Sequence, residues 1–101
     1  MSTQVTGREL SVVVLCYRAE DDIISFVKQL DNELTLENVD FELVLVANYE
    51  KDKADKTPDI VKNIAEHNPR YVVVSKEKEG EMGWDMRSGL AASSGKYVAV
   101  I

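Results

Sequence analysis

The sequence is poor in the residues that build several common kinds of site. Cys16 is the only cysteine and lies within an apolar run, so neither a disulfide framework nor a cysteine-ligated zinc site is available. His67 is the only histidine and cannot hold a metal without partners. Its place beside Asn68 and Pro69 is typical of a solvent-facing residue at the end of a helix. No apolar stretch reaches the roughly 20 residues that span a bilayer.

Positive charge is scarce as well. Twelve lysines and arginines stand against eighteen aspartates and glutamates, which gives a formal net charge of −6. The sequence shows no basic patch, so nucleic acids and anionic membranes are disfavoured as partners. Residues 1–9 are polar and lack the apolar stretch of a signal peptide, so we expect a flexible N-terminal tail and a cytoplasmic chain.

Four short apolar runs alternate with three stretches of helical character, which fits a single domain over residues 10–101. The runs are rich in β-branched residues without alternation, as in strands buried on both faces of a sheet. They cover residues 10–16, 41–47, 71–74 and 97–101. The first helical stretch follows the acidic residues Glu20-Asp21-Asp22. The second begins at Thr57, a capping residue before Pro58. The third runs from Met82 to Ala92, and Gly95 ends it.

The order βαβαβαβ predicts an α/β fold with a mostly parallel sheet and helices on both faces. In such sheets ligands bind beyond the carboxyl ends of the strands. The segments to examine are therefore residues 16–22, 48–57 and 75–83. None of them contains a P-loop, the three spaced glycines of a dinucleotide fingerprint, the strand-ending aspartate of a phospho-receiver domain or a nucleophile elbow.

Two side chains stand just past the first strand, where a nucleotide would lie in this architecture. Tyr17 offers a stacking face and a hydroxyl, and Arg18 offers a guanidinium that matches phosphate. Arg87, in the first half of the third helix, would face the same cleft. The alternatives are that Tyr17 and Arg18 only close the loop between strand and helix, and that Arg87 is a surface charge.

Three segments together resemble family 2 glycosyltransferases of the GT-A fold. Leu-Ser-Val-Val-Val-Leu-Cys-Tyr-Arg-Ala-Glu-Asp-Asp at 10–22 resembles the family opening Ser-Val-Val-Ile-Pro-x-Tyr-Asn-Glu-Glu. Phe-Glu-Leu-Val-Leu-Val-Ala-Asn at 41–48, followed by Thr-Pro-Asp-Ile at 57–60, is similar to the second strand and Thr-Pro-Glu-Ile of that family. Met82-Gly83-x-x-x-Arg87-Ser-Gly and Gly95-Lys-Tyr-Val resemble the polyprenyl-phosphate sugar transferases, the dolichol-phosphate mannosyltransferase-like branch.

The resemblance implies a Rossmann-like half of a GT-A fold that binds a nucleotide-diphosphate sugar. The acceptor that it implies is a polyprenyl phosphate or another acceptor at the cytoplasmic face of a membrane. In the family the fourth strand runs into Asp-x-Asp, which holds a divalent metal (Mg or Mn), and this sequence stops at Ile101. We therefore expect the front part of a longer hexosyltransferase, without its metal ligands and inactive alone, whose exposed final strand favours self-association.

The sequence departs from the family pattern at several contact positions. An aspartate after the second strand commonly hydrogen-bonds the base, and its place is taken by an alanine and an asparagine whose amide both donates and accepts. The residues that differ are Leu15, Arg18, Ala19, Ala47, Asn48 and Met82. Because of these changes the base identity cannot be carried over from the family.

The donor contacts that we predict are Tyr17, Arg87, Arg18, Glu20 and Asn48. The altered contact positions support one alternative, a non-catalytic Rossmann-like module for binding or interaction. A second alternative is a complete flavodoxin-like domain that binds no nucleotide and shares only the α/β pattern.

Overall fold

The computed structural model describes residues 8–101, and it has the predicted order of strands and helices. The boundaries agree with the apolar runs to within a few residues, and the third helix spans residues 82–92, as its sequence predicts. The elements are β1 (Leu10–Leu15), α1 (Asp22–Leu36), β2 (Phe41–Val46), α2 (Thr57–Glu66), β3 (Tyr71–Val74), α3 (Met82–Ala92) and β4 (Tyr97–Val100).

The four strands form one sheet in the order β3-β2-β1-β4, and all three pairings are parallel. The chain thus builds outwards from β1 to β3, and α3 then carries it back across the sheet to the other side of β1. In the register Leu10 lies opposite Phe41 on one side and Tyr97 on the other. The strand order therefore reverses between β1 and β4.

Helices cover both faces of the sheet, which confirms the predicted layering. On the face of α1 and α2, Val12 and Val14 of β1 pack with Leu43 and Leu45 of β2. On the other face, smaller residues of the sheet pack against α3, with Val13 and Val46 at its centre. The helix approaches so closely that a Cβ atom on Gly89 would lie 2.4 Å from Val13 Cγ1. This position therefore requires a glycine for contact with the sheet rather than for chain flexibility.

A buried polar cluster holds the turn from α3 to β4 against the amino end of the sheet. The Ser11 hydroxyl donates to Glu42 Oε2 at 2.6 Å, and the same oxygen accepts the backbone N–H of Ser94 at 2.7 Å. The Gly95 N–H donates to Ser11 Oγ at 2.7 Å. A Cβ atom on Gly95 would lie 2.5 Å from the Ser11 backbone nitrogen. The glycine therefore permits the close approach that starts β4.

The termini of the elements differ from the sequence predictions in two details. Thr57 is the first residue of α2 and makes no side-chain cap; instead its hydroxyl donates to Asp55 and accepts from the Glu20 N–H. Most of the predicted N-terminal tail, residues 1–7, lies outside the described residues. Arg8 and Glu9, however, accept backbone hydrogen bonds from Lys96 and Tyr97.

Strand β4 is an edge strand and all four of its residues are exposed, so the prediction that the run 97–101 is buried on both faces is wrong. Tyr97 is 60% exposed and Val98 41%. Over residues 8–101, no helix has both the length and the apolar character needed to cross a bilayer.

Candidate functional site

A cleft of about 830 Å³ opens at the carboxyl ends of β1, β2 and β3. The β1–α1 loop contributes Tyr17, and the β2–α2 loop contributes a carboxylate and two lysines. The β3–α3 loop and the first turn of α3 close the third side. The lining residues are Leu15, Tyr17, Glu50, Lys51, Lys53, Lys78, Gly80, Glu81, Met82 and Asp85. Since α3 begins here, the positive end of its dipole lies at the cleft.

Tyr17 forms one wall of the cleft and is tied to the loop after β2. Its hydroxyl donates to Glu50, and Lys53 pairs with the other oxygen of that carboxylate at 3.2 Å. The hydrogen bond to Glu50 raises the pKa of the Tyr17 phenol above its usual 10.0. The same bond, followed by that from Lys53, lowers the pKa of Glu50 below 4.5. The pair is therefore a neutral phenol donating to an ionised carboxylate at neutral pH.

A chain of buried polar groups connects the loops after β2 and β3 to α3. The Asn48 side chain is buried; its Nδ2 donates to Asp85 Oδ1 at 2.8 Å, and its Oδ1 accepts the Lys76 N–H at 2.9 Å. The Lys78 ammonium pairs with the other oxygen of Asp85. Lys78 Nζ also lies 4.6 Å from the centroid of the Tyr17 ring, within range of a cation–π interaction.

The β1–α1 loop turns sharply behind the cleft. Arg18 and Glu20 have φ angles of 52° and 50°, a left-handed conformation that non-glycine residues adopt at a cost. Glu20 is fixed on both sides, because its N–H donates to Thr57 Oγ1 and its carboxylate accepts the Lys56 N–H at 3.1 Å. The bonds to Thr57 and Lys56 hold the loop against the start of α2.

The structure brings some of the predicted donor contacts together and separates others. Tyr17 lines the cleft. Asn48 is buried behind the cleft lining, and both its amide nitrogen and its amide oxygen are hydrogen-bonded. Glu20 has the backbone role just described. Arg18 and Arg87 are exposed and do not line the cleft; Arg87 Nη1 lies beside Gly83 on the surface of α3.

Sequence reasoning missed Lys78 and Asp85, which are the most enclosed charged groups of the cleft. Their side chains are 10% and 6% exposed. Lys78 lies in no motif, and Asp85 occupies one of the variable positions between Gly83 and Arg87. A lysine in a charged loop ordinarily indicates a solvated surface. The available signal was Asp85 itself, an aspartate near the start of a helix with apolar or small residues around it in the sequence. When such a helix packs on a sheet, the buried carboxylate needs a partner.

The described residues do not fit a metal site. Residues 8–101 contain no group of three or more histidine, cysteine, aspartate or glutamate side chains placed to share an ion. Of the three carboxylates that line the cleft, Glu50 and Asp85 are engaged by other side chains, and Glu81 is exposed at the start of α3.

The fold and the site together define a class of protein, a parallel α/β domain with a charged cleft beyond its strand ends and an aromatic ring in the cleft wall. The family model described as Glycosyl transferase family 2 matches residues 11–101, and the chain belongs to this family. No curated protein matches the sequence at a significant level. The predicted family is thus confirmed, and family members transfer sugars from nucleotide-sugar donors, generally with a divalent metal.

The Tyr17–Glu50 pair makes a pH dependence testable. Because the pKa of Glu50 is lowered, its contribution to folding is present above pH 4.5 and is lost as the pH falls through the lowered value. Because the pKa of Tyr17 is raised, its contribution is present below pH 10.0 and is lost as the pH rises through the raised value. We expect a carboxyl-carbon NMR titration of Glu50 to give a pKa below 4.5, and Tyr17→Phe to move it upward.

Tyr49→Phe is the matched control for this titration, since Tyr49 is a neighbouring exposed tyrosine that does not line the cleft. An unchanged pKa of Glu50 in Tyr17→Phe would contradict the hydrogen bond, and so would an equal shift in the control.

Proposed function

We propose that the cleft binds the nucleotide-diphosphate part of a sugar donor. The observation that carries this proposal is the convergence of Tyr17, three lysines and the start of α3 on one cleft. The lining holds three lysines, Lys51, Lys53 and Lys78, and three carboxylates, so the cleft is formally neutral in a chain whose net charge is −6. Ammonium groups and a helix N-terminus are suited to phosphate oxygens, and an aromatic ring is suited to a base.

The candidate donor contacts divide into two kinds. Tyr17 is proposed to contact the base or the ribose, since its ring forms one wall of the cleft. Asn48 is proposed to act through Asp85, because its amide is already engaged at both ends. Arg18 and Arg87 are proposed to meet the donor only at the rim, since both are exposed. Glu20 holds the loop on which Tyr17 stands.

The reaction that we propose for the parent protein is hexosyl transfer. The bond between the anomeric carbon and the diphosphate breaks, an acceptor oxygen forms the new bond, and the nucleoside diphosphate leaves. We propose a polyprenyl phosphate acceptor at the cytoplasmic face of a membrane, on the resemblance of residues 82–98 to transferases of that kind. The divalent metal of the family would need ligands other than the described residues, so our proposal for the cleft is limited to donor binding.

An amide chemical-shift titration of the 101-residue chain with UDP, GDP, CDP and ADP tests donor binding. We expect one of them to shift the amides of Tyr17, Glu50 and Lys78. Tyr17→Ala is expected to weaken binding of that nucleotide by about 5- to 150-fold, since stacking on an aromatic ring contributes about 1–3 kcal/mol per base. Tyr49→Ala, outside the cleft, is the control and should bind normally. If none of the four nucleotides moves the cleft amides, donor binding is refuted.

We also propose that the 101-residue chain does not transfer sugar by itself. Two of the three cleft carboxylates, Glu50 and Asp85, are engaged by other side chains, and the described residues contain no group of three side chains placed to hold the metal that would neutralise a diphosphate leaving group. Release of nucleoside diphosphate from a sugar nucleotide by the purified chain, in the presence of Mg²⁺ or Mn²⁺ and an acceptor, would overturn this proposal.

A second candidate function, an interaction module, is favoured by the edge strand. Within the described residues, strand β4 presents exposed apolar side chains and an unpaired backbone edge, which is a template for strand pairing. We expect sedimentation velocity to show self-association that rises with concentration and is reduced by Val98→Lys. A monomer throughout the concentration range would contradict it. The absence of amide shifts near Tyr17 and Asn48 on adding nucleotide, together with self-association, would favour the module over the transferase.

A further inference from the structure

Lys78 differs from the other two lysines of the cleft in how firmly it is held. Lys53 pairs with Glu50 at the surface with a side chain that is 58% exposed, and Lys51 is also exposed. The Lys78 side chain is 10% exposed, with its ammonium on Asp85 and beside the face of the Tyr17 ring. An ammonium fixed in this way loses little side-chain entropy when a ligand binds.

The partner carboxylate lines the cleft with both of its oxygens engaged by other side chains. One oxygen of Asp85 accepts the Asn48 amide and the other accepts the Lys78 ammonium, and the side chain is 6% exposed. A lysine has three N–H donors, and Asp85 engages one of them through a single oxygen. The remaining donors belong to a group that lines the cleft at the same end as the start of α3. An anion entering there meets the Lys78 ammonium while both oxygens of Asp85 are already engaged; the exposed Glu81 carboxylate lines the same end of the cleft.

We propose that Lys78 is a donor-binding residue that contacts the phosphate groups of the nucleotide. Asp85 is a positioning residue, because it holds the Lys78 ammonium over the Tyr17 ring, and Asn48 holds Asp85. This inference rests on the proposed donor site and names Lys78 as the residue that binds the phosphate groups there. It predicts that Lys78 distinguishes a nucleoside diphosphate from the matching nucleoside.

The double variant Lys78→Met with Asp85→Asn removes both charges and keeps the shape of both side chains. Replacing a buried ion pair by neutral groups of similar volume is often tolerated, so we expect the variant to fold. Its affinity for the nucleoside diphosphate that binds the wild-type chain should fall at least tenfold, while its affinity for the matching nucleoside should change less than threefold. Lys76→Met with Glu77→Gln is the matched control, a neutral double change at two exposed residues of the same loop.

A second pair of variants tests the positioning role. In Asp85→Asn alone, the Lys78 ammonium loses its charged partner, and diphosphate binding should weaken. Adding Asn48→Asp returns a carboxylate to the chain of hydrogen bonds. The carboxylate introduced at position 48 can accept both the Lys76 N–H and the amide introduced at position 85, whose oxygen then accepts from Lys78. The double variant should recover diphosphate affinity to within about threefold of the wild-type value.

The outcomes separate this inference from the proposed donor site. Wild-type diphosphate affinity in the Lys78→Met, Asp85→Asn variant overturns the role of Lys78 and leaves the donor site intact. An equal loss of affinity for the nucleoside and for the nucleoside diphosphate also overturns the role of Lys78, because such a loss would come from a change in the structure of the cleft. Failure of the Asn48→Asp, Asp85→Asn variant to recover overturns the positioning role. If no nucleoside diphosphate binds the wild-type chain, the donor site itself is refuted.

Discussion

Phe41→Ala is expected to lower the free energy of unfolding by about 3–5 kcal/mol, the range typical of removing a buried phenylalanine. Phe41 is fully buried at the start of β2, in the core between the sheet and the two helices α1 and α2. The Arg70 guanidinium carbon lies 4.7 Å from its ring centroid and closes that end of the core. Urea denaturation at neutral pH measures the change, with a lower midpoint and an unchanged slope.

Leu36→Ala is the matched control for Phe41→Ala. Leu36 is a large apolar residue that is 84% exposed at the end of α1, so its truncation should change the free energy of unfolding by less than about 0.5 kcal/mol. A loss below about 1 kcal/mol for Phe41→Ala would contradict the packing described at the start of β2. A domain of this size has a total stability of about 5–15 kcal/mol, so the expected loss is a large fraction of it.

Asp85→Ala is expected to destabilise the fold by about 3–5 kcal/mol, because it removes one partner of a buried ion pair and leaves a charge behind. The Lys78 ammonium would lose its counter-ion, and Asn48 Nδ2 would lose its acceptor. Thermal and urea denaturation measure the loss. The magnitude is larger than that of a surface ion pair because both side chains are at least nine-tenths buried.

Two comparisons decide whether the ion pair causes this loss. Glu79→Ala removes an exposed carboxylate from the same loop and should stay within about 0.5 kcal/mol of the wild-type stability. Lys78→Met in the Asp85→Ala background removes the stranded charge and should recover part of the loss. If adding Lys78→Met recovers nothing, the cost of Asp85→Ala arises from lost packing rather than from an uncompensated charge.

Much of the fold was predictable, because its elements are specified by local patterns. The uninterrupted β-branched residues at 12–14 and the apolar run at 43–46 identify strands covered on both faces, and the structure buries them. The strand order was not predictable, since a βαβαβαβ pattern does not say on which side of β1 the last strand lies. The predicted side-chain cap of Thr57 is also absent. Its hydroxyl instead hydrogen-bonds to the Glu20 N–H and to Asp55, and only the fold brings Glu20 close to it.

The candidate site was less predictable than the fold. Tyr17 was predicted as a donor contact from its position after β1, and the structure places it in the lining of the cleft. Lys78 and Asp85 are seven residues apart in a loop and a helix, and only the packing of α3 on the sheet brings them together. Asn48 was predicted to contact a base; its burial and two hydrogen bonds depend on a backbone N–H from the neighbouring β3 loop.

The place of β4 beside β1 has a consequence for how the chain folds. Leu10 pairs with Tyr97, so one edge of the sheet joins segments from the two ends of the described chain. Contacts of such large sequence separation require most of the chain to be ordered before they form, and they slow folding relative to proteins with local contacts. Until β4 docks, β1 has a neighbour on only one side. We therefore expect the β1–β4 pairing to form late on the folding pathway, after β1, β2 and β3 have assembled.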